Sequence, residues 1–261
     1  MIRYFIIFIH LIKNNLIREL EFRANFILQI VMQSGWGILQ IVLIEIMFQF
    51  TNSIVGWEKY EIFFLIGLFR ATKGIFDVFI YANILHLPEK VNSGELDYNL
   101  TRPINSLFVT SLRRHQLDQI GTILVGITIV FYSIMKGHLS LQFGIIGVVL
   151  LSFCGVMSFY CLMLMFSTLS FYLSRLRALS SFYDVLSNVL RVPTDIFLFG
   201  NKYFDSTILL VSIVITLPTK ILLGKIGMVG WGIQLAGTVI LFIIAYKFWN
   251  YSLKHYSSAS S

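Results

Sequence analysis

Hydrophobic residues along the chain fall into six long runs that polar segments separate. A helix that crosses a bilayer needs about 20 mostly apolar residues, and each run is about that long or longer. We therefore predict six transmembrane helices, at residues 26–50, 60–85, 117–135, 141–173, 204–223 and 228–249. The fourth run is the longest, so its helix must tilt or extend beyond the bilayer.

Residues 1–25 show a different pattern, with apolar and polar positions on opposite faces of a helix. No small-residue cleavage site follows the first apolar stretch, which argues against a signal peptide. We predict an amphipathic helix in the membrane interface, and the alternative is a first span interrupted by charge. The predicted apolar face comprises Phe5, Ile9, Ile12, Leu16 and Leu20, and the polar face comprises Arg3, His10, Asn14, Arg18 and Glu21.

The stretch 180–199 is ambiguous, because it is apolar overall but contains Asp184, Arg191, Pro193 and Asp195. We interpret it as a helix near the cytoplasmic surface or as the lower part of the fifth span. A seventh span is the alternative, and it would place the C-terminus outside.

Composition supports an integral membrane protein. Of the 261 residues, 57% are hydrophobic and only 13% are charged, and the mean hydropathy is +0.79. Soluble domains have about 45–50% apolar and about 25% charged residues. The net charge of +7 would suggest nucleic-acid binding in a soluble protein, but in a membrane protein it reports orientation.

The positions of Lys and Arg favour six spans with both termini in the cytoplasm. This arrangement places 14 basic residues inside and 4 outside, as the excess of basic residues in cytoplasmic loops requires. The remaining two, Arg70 and Lys73, fall within the second span.

Motifs of soluble enzymes are absent from the sequence. The only Gly-Lys pair, Gly224-Lys225, lacks the upstream glycine of a phosphate loop, and no metal-binding spacing occurs. Cys154 and Cys161 lie two helical turns apart, too far for a disulfide. We therefore expect no enzyme activity, no metal and no cofactor in this chain.

Arg70, Lys73 and Asp77 lie on one face of the predicted second helix. A charge near the bilayer centre costs at least about 2.5 kcal/mol, so these side chains must face protein or water. One interpretation is that they line a pathway or contact an anionic group, together with Glu45 of the first span. The other is structural, with a Lys73–Asp77 pair and Arg70 neutralised by a neighbouring span, for which Glu45 is the candidate.

The loop 86–116, between the second and third predicted spans, contains a short amphipathic segment. Leu96 and Leu100 lie one helical turn apart, and Gly94 and Pro103 bound the segment. The shape fits a surface element that docks on a cytosolic partner, although a polar loop with a short helix would show the same pattern. Most of the polar residues turn away from this leucine face, namely Glu95, Asp97, Asn99 and Arg102.

Three segments of this chain resemble the membrane permease subunits of bacterial type-2 ATP-binding-cassette (ABC-2) exporters, in their six-span paired-permease branch. The most specific is Ser93-Gly94-Glu95-Leu96-Asp97 followed by Leu100-Thr101-Arg102-Pro103-Ile104-Asn105-Ser106-Leu107-Phe108. The others are Glu21-Phe22-Arg23-Ala24-Asn25-Phe26 and the tail Tyr256-Ser257-Ser258-Ala259-Ser260-Ser261, and Leu217-Pro218 with Leu222-Leu223-Gly224 also fits. The charged second span departs from the family pattern.

The resemblance implies a membrane component of an ATP-driven exporter in the bacterial cytoplasmic membrane. It implies two copies of a cytosolic ATPase, which hold ATP and Mg²⁺, and a second permease. The family often encodes its permeases as neighbouring pairs of genes, so the second permease is expected to be a paralogue of this chain. The resemblance also implies that the loop 86–116 couples to the ATPase. The coupling residues would be Glu95, Leu96, Asp97, Leu100 and Arg102, within a permease domain at 26–250 that is preceded by the interfacial helix 1–25 and followed by the tail 251–261.

Two other function classes remain open at this stage. A secondary transporter or ion channel would use Arg70, Lys73 and Asp77 as its coupling charges, but the sequence shows no inverted repeat. A non-transporting membrane scaffold or an intramembrane enzyme is the other class.

Overall fold

The computed structural model describes residues 2–21, 23–101, 104–173 and 178–256. These residues form helices and no β-strand, which confirms the prediction of an all-α membrane protein. The α-helices of this part are α1 (Ile2–Glu21), α2 (Arg23–Phe50), α3 (Lys59–Phe76), α4 (Ala82–Leu85), α5 (Leu87–Asn92), α6 (Glu95–Leu100), α7 (Ser106–Leu112), α8 (Ile120–Gly137), α9 (Gly144–Thr168), α10 (Ala178–Leu190), α11 (Lys202–Ser212), α12 (Thr216–Leu222) and α13 (Met228–Lys254).

Four helices of the described part are long and apolar enough to cross a bilayer. They are Phe26–Phe50, Leu117–Gly137, Gly144–Phe171 and Met228–Lys254, and they match the first, third, fourth and sixth predicted spans. The bent pair α11–α12 makes a fifth if it is counted as one span. The number of six spans therefore stays a prediction.

The second predicted span is a continuous helix at the centre of the bundle. It consists of α3, a π-helical turn at Asp77–Tyr81, and α4. Phe63, Phe64 and Leu65 point to different sides of α3 and are all fully buried. A helix that is buried on all sides is enclosed by protein, so its charged side chains need not face lipid.

Glycines bring α3 and α8 into close contact. A Cβ atom at Gly126 would lie 2.5 Å from the backbone nitrogen of Ala71, and one at Gly67 would lie 2.9 Å from the carbonyl oxygen of Gly126. Small residues at helix interfaces allow this close approach of backbones in membranes. The face of α3 that carries Gly67 and Ala71 therefore packs on α8, and Arg70 points elsewhere.

The bundle has two ends, which we name by their residues. The Trp57 end carries the connection 51–58, where α3 begins, and the α6 end carries α5, α6 and α7, which follow α4 directly. The 27 residues of the helix 59–85 separate the two ends by about 40 Å at 1.5 Å per residue.

The ambiguous stretch forms α10 and a short turn, and its contacts reach both the second span and the Trp57 end. Tyr183 of α10 bonds to Asp77 in the inner part of the second span, and Asp195 accepts a hydrogen bond of 2.9 Å from Trp57 Nε1 at the Trp57 end. Leu186 and Leu190 of α10 are buried in the core, which anchors the helix along its length.

The fifth predicted span is bent rather than straight, since the axes of α11 and α12 differ by 63°. Pro218 has no N–H to donate to the carbonyl of Val214, so the helix is interrupted there. At the same break, the side-chain amide of Gln234 donates a hydrogen bond to the neighbouring carbonyl of Ile213, at 2.9 Å. The Val214 carbonyl packs on Gly155, where a Cβ atom would lie only 2.5 Å away.

The N-terminal helix α1 (Ile2–Glu21) packs at the α6 end. Asn15 Nδ2 donates to the carbonyl of Arg113 at 3.3 Å and lies 3.0 Å from His115 Nδ1. Ile9 and Leu16 of the predicted apolar face remain exposed, as an interfacial helix requires. The side chains of Arg3, Phe5, Arg18 and Leu20 lie outside the described residues, as does Phe22.

Candidate functional site

Lys73 and Asp77 form the predicted ion pair inside the bundle. Lys73 Nζ lies 2.5 Å from Asp77 Oδ2, and the Tyr183 hydroxyl donates to Asp77 Oδ1 at 2.5 Å. Lys73 Nζ also lies 5.0 Å from the centre of the Tyr183 ring. Asp77 is thus satisfied by two donors, and the Lys73 charge is neutralised within the chain.

Within the part of the chain that the structure describes, Arg70 has only neutral partners. Its Nε donates to Gln40 Oε1 at 2.7 Å, and its Nη1 donates to the carbonyl of Gln33 at 3.3 Å. The predicted pairing of Arg70 with Glu45 is wrong. Glu45 lies toward the Trp57 end of α2 and pairs with Lys59 at 3.0 Å. The neighbouring span does hold Arg70, but with amide and carbonyl oxygens rather than a carboxylate.

Glu45 belongs to a group of ion pairs at the Trp57 end. Lys225 Nζ lies 2.6 Å from Glu61 and 4.5 Å from the centre of the Trp57 ring. Lys220 Nζ lies 2.6 Å from Asp195, which also accepts the Trp57 hydrogen bond. These pairs hold the connection 51–58 against the segments around α12, and the Glu45–Lys59 pair lies at the same end, away from Arg70.

A cavity of about 310 Å³ lies beside Arg70, lined by residues of α2, α3 and α8 and by Arg191, which follows α10 directly. We call it the basic cavity. Among the described residues, its lining includes three cations and no carboxylate, and Arg191 lies close enough to Arg70 to repel it. The lining residues are Gln33, Trp36, Gln40, Phe69, Arg70, Lys73, Thr122 and Arg191.

At the α6 end, the loop 86–116 folds into three short helices. Gly94 adopts a φ of 73°, which non-glycine residues rarely adopt, and it separates α5 from α6. Asn105 caps α7 by accepting a hydrogen bond from the backbone N–H of Phe108 at 3.2 Å. The short helix that the sequence predicts between Gly94 and Pro103 is present as α6.

The face of α6 that packs on the bundle differs from the predicted leucine face. Leu96 and Asn99 are fully buried, and Leu100 is exposed. The side chain of Leu96 belongs to the hydrophobic core, so within this chain it packs on the bundle. Arg102 lies outside the described residues.

Two polar contacts fix α6 on the bundle. Glu95 Oε1 lies 3.6 Å from Arg113 Nη1, and Arg113 Nη1 donates to Asn99 Oδ1 at 3.5 Å. Nearby, the Tyr256 hydroxyl donates to the carbonyl of Val91 at 3.4 Å, and burial, with the Asp97 carboxylate as a smaller cause, raises the pKa of Tyr256. Of the predicted coupling residues, Glu95 and Leu100 are exposed, as is their neighbour Tyr98.

A hydrogen-bonded connection links this region to the second span. Asn83 Nδ2 donates to the carbonyl of Arg114 at 2.6 Å, and the Arg114 N–H donates to Asn83 Oδ1 at 2.8 Å. Nearby, the Ser167 hydroxyl of α9 donates to the carbonyl of Ile84 at 3.0 Å. The end of α7 is therefore attached to the helix that carries Arg70 and Lys73.

Sequence reasoning missed several residues of these sites, among them Arg191, Tyr183 and Tyr98. Arg191 and Tyr183 are far from Arg70 and Asp77 along the chain, so no local spacing joins them. Tyr98 could have been found, because it shares the outer face of α6 with Glu95 at i, i+3.

The family model of ABC-2 family transporter proteins matches residues 35–260. The chain therefore belongs to the ABC-2 transporter membrane family. Such a chain is a permease component of an ABC transporter and a multi-pass membrane protein, and its family pairs with an ABC ATPase on a separate subunit. No curated protein and no solved structure shows significant similarity to it.

Proposed function

We propose that this chain is the export permease of a bacterial ABC transporter in the cytoplasmic membrane. It acts with a second permease, a paralogue of this chain, and with two copies of a cytosolic ATPase. ATP and Mg²⁺ bind in the ATPase, and this chain holds no cofactor. Family membership supports the permease role, and the geometry of α6 supports the coupling role.

The observation that carries the proposal is the outward face of α6, formed by Glu95, Tyr98 and Leu100. Leu96 and Asn99 anchor the opposite face in the bundle. A helix that is anchored on one face and exposed on the other transmits a displacement rather than absorbing it. The two hydrogen bonds between Asn83 and Arg114 extend this connection to the second span.

The coupling has a simple energetic requirement. ATP binding shifts the permease between two conformations only by as much as the ATPase contacts differ in free energy between them. The α6 contact must therefore be stronger in one conformation than in the other. The second span, which carries both the α6 connection and the basic cavity, is the element that changes position.

Both termini lie in the cytoplasm, and the fifth crossing is the segment 178–197 rather than 204–223. Contacts of Tyr183 with Asp77 and of Asp195 with Trp57 support this crossing. The segment 198–222 then begins and ends near the Trp57 end, since Lys220 also pairs with Asp195. The inside excess of basic residues persists, at twelve against five, with Arg70, Lys73 and Arg191 within the bundle.

Cysteine labelling tests this topology, because Asn201 lies inside if 204–223 crosses and outside if 178–197 crosses. Asn201→Cys is placed in a chain with both native cysteines replaced by serine and is treated on intact cells with an impermeant maleimide. We expect labelling without permeabilisation. Lys136→Cys and Asn92→Cys serve as outside and inside controls under both topologies, and labelling of Asn201→Cys only after permeabilisation would contradict the proposal.

Co-purification tests the partner arrangement. The tagged chain is solubilised from its native cell in mild detergent, and the bound proteins are identified. We expect an ATPase with a phosphate loop and a second, related permease. Transport of a solute by the chain alone in liposomes, without any ATPase, would overturn the proposal.

A further inference from the structure

We propose that the basic cavity binds a phosphate-type anionic group. The inference deepens the proposed function and rests on it for the step in which the bound ligand is transported. Binding itself depends only on this chain.

The first argument is charge. Asp77 neutralises Lys73, but Arg70 and Arg191 have no carboxylate partner among the described residues, and they repel each other across the cavity. Arg70 lies about 16 Å from the start of α3 at 1.5 Å per residue, well inside the bundle. Two like charges that share one cavity repel each other, and an anion bound between them removes this repulsion.

The second argument is the supply of donors. The Arg70 guanidinium has five N–H groups, and its bonds to Gln40 and Gln33 use Nε and Nη1, which leaves donors for a ligand. The Thr122 hydroxyl lines the same cavity, is buried, and has no hydrogen-bond partner among the described residues. Arg191 makes no hydrogen bond or ion pair with the described chain, so its guanidinium is available.

The third argument is the choice of anion. A single arginine side chain binds phosphate through two parallel N–H···O bonds. A phosphate group has enough oxygens to accept hydrogen bonds from Arg70, Arg191 and Thr122 together. Trp36 is 57% exposed at the margin of the cavity, and Phe69 also lines it. The phosphate could belong to an amphiphile that enters from the membrane or to a free anion that enters from water.

Binding to the purified full-length chain separates these sources. The melting temperature is measured in an uncharged detergent against dihexanoyl phosphatidic acid, inorganic phosphate and the zwitterionic dihexanoyl phosphatidylcholine. We expect phosphatidic acid to raise it saturably and phosphatidylcholine to leave it unchanged. Equal binding of inorganic phosphate would assign the site to a free anion, and weaker binding would assign it to an amphiphile.

Variants locate the site. Arg191→Gln removes a side chain without a structural contact, and we expect it to weaken the dissociation constant for phosphatidic acid by about tenfold or more. Thr122→Val is a second variant and should weaken it about threefold to tenfold. Lys136→Gln removes an exposed cation elsewhere and should bind as the parent chain does.

Two results would overturn the proposal. They are the absence of any stabilisation by either phosphate probe, and equal binding by Arg191→Gln and Lys136→Gln. No ATPase is present in this measurement, so its failure leaves the co-purification test of the proposed function unaffected.

Discussion

The hydroxyl of Tyr183 donates a 2.5 Å hydrogen bond to the carboxylate of Asp77, a residue 106 positions earlier in the chain. Asp77 opens the π-helical turn of the second span, and its other oxygen pairs with Lys73. The Tyr183 ring also packs on Phe76 and Phe159, with ring centres 6.3 Å and 6.0 Å away. The contact therefore fixes α10 to the second span beside the basic cavity.

This arrangement predicts that Lys73 is structural. Lys73→Ala leaves the buried Asp77 carboxylate without its cation, and breaking a buried pair in this way costs about 3 kcal/mol. We expect a lower melting temperature of the purified protein, and recovery of most of the loss in the double variant Lys73→Met/Asp77→Leu. Lys136→Ala is the control, and a Lys73→Ala loss no larger than that of the control would disprove the assignment.

The close contact of α3 and α8 gives a second prediction. Gly126→Ala places a methyl group 2.5 Å from the Ala71 backbone nitrogen, which the two helices can accommodate only by moving apart. Such overpacking costs about 1–3 kcal/mol. Gly35→Ala is the matched control, because nothing lies within 4 Å of its Cβ position. Equal melting temperatures of the two variants would show that this contact is not tight.

Apolar length predicted the spans that face lipid and was ambiguous where charged side chains face protein. The first, third, fourth and sixth predicted spans are helices of the expected extent. The stretch 178–197 stayed ambiguous, because apolar length does not report that its charges contact other helices: Asp195 bonds to Trp57 and Lys220. Conversely, 204–223 has the composition of a span, but Pro218 interrupts the helix at Val214.

Site prediction followed the same division between local and distant contacts. The Lys73–Asp77 pair was visible in the sequence because i, i+4 residues meet on a helix. The partners of Arg70 were not, because Gln40 and Gln33 lie on another helix and nothing in the spacing selects them over Glu45. On α6, the burial of Asn99 depends on contacts with the bundle, which leucine periodicity alone does not report.

His115 predicts a pH dependence at the α6 end. Burial lowers the pKa of its imidazole below 6.5, so the folded protein keeps it neutral. As the pH falls through 6.5, the unfolded chain takes up a proton before the folded chain does, and stability decreases toward the lower folded pKa. We expect the melting temperature to fall more between pH 7.5 and 5.5 in the parent than in His115→Asn. The exposed His138→Asn is the control, and an equal pH response of the parent and His115→Asn would refute the role of His115.

The outward face of α6 gives the last prediction. Leu100→Asp and Tyr98→Ala change side chains that are exposed, so we expect the permease to fold and to reach the membrane. We expect loss of ATPase co-purification, or ATP hydrolysis that no longer drives transport, because the apolar contact with the ATPase is removed. Tyr251→Ala is the control. It changes a similarly exposed tyrosine of α13 near the α6 end of the bundle and should leave ATPase co-purification and coupled transport intact. Leu96→Asp should instead abolish folding, since Leu96 is fully buried, and normal coupled transport by both α6 surface variants would show that the ATPase docks elsewhere.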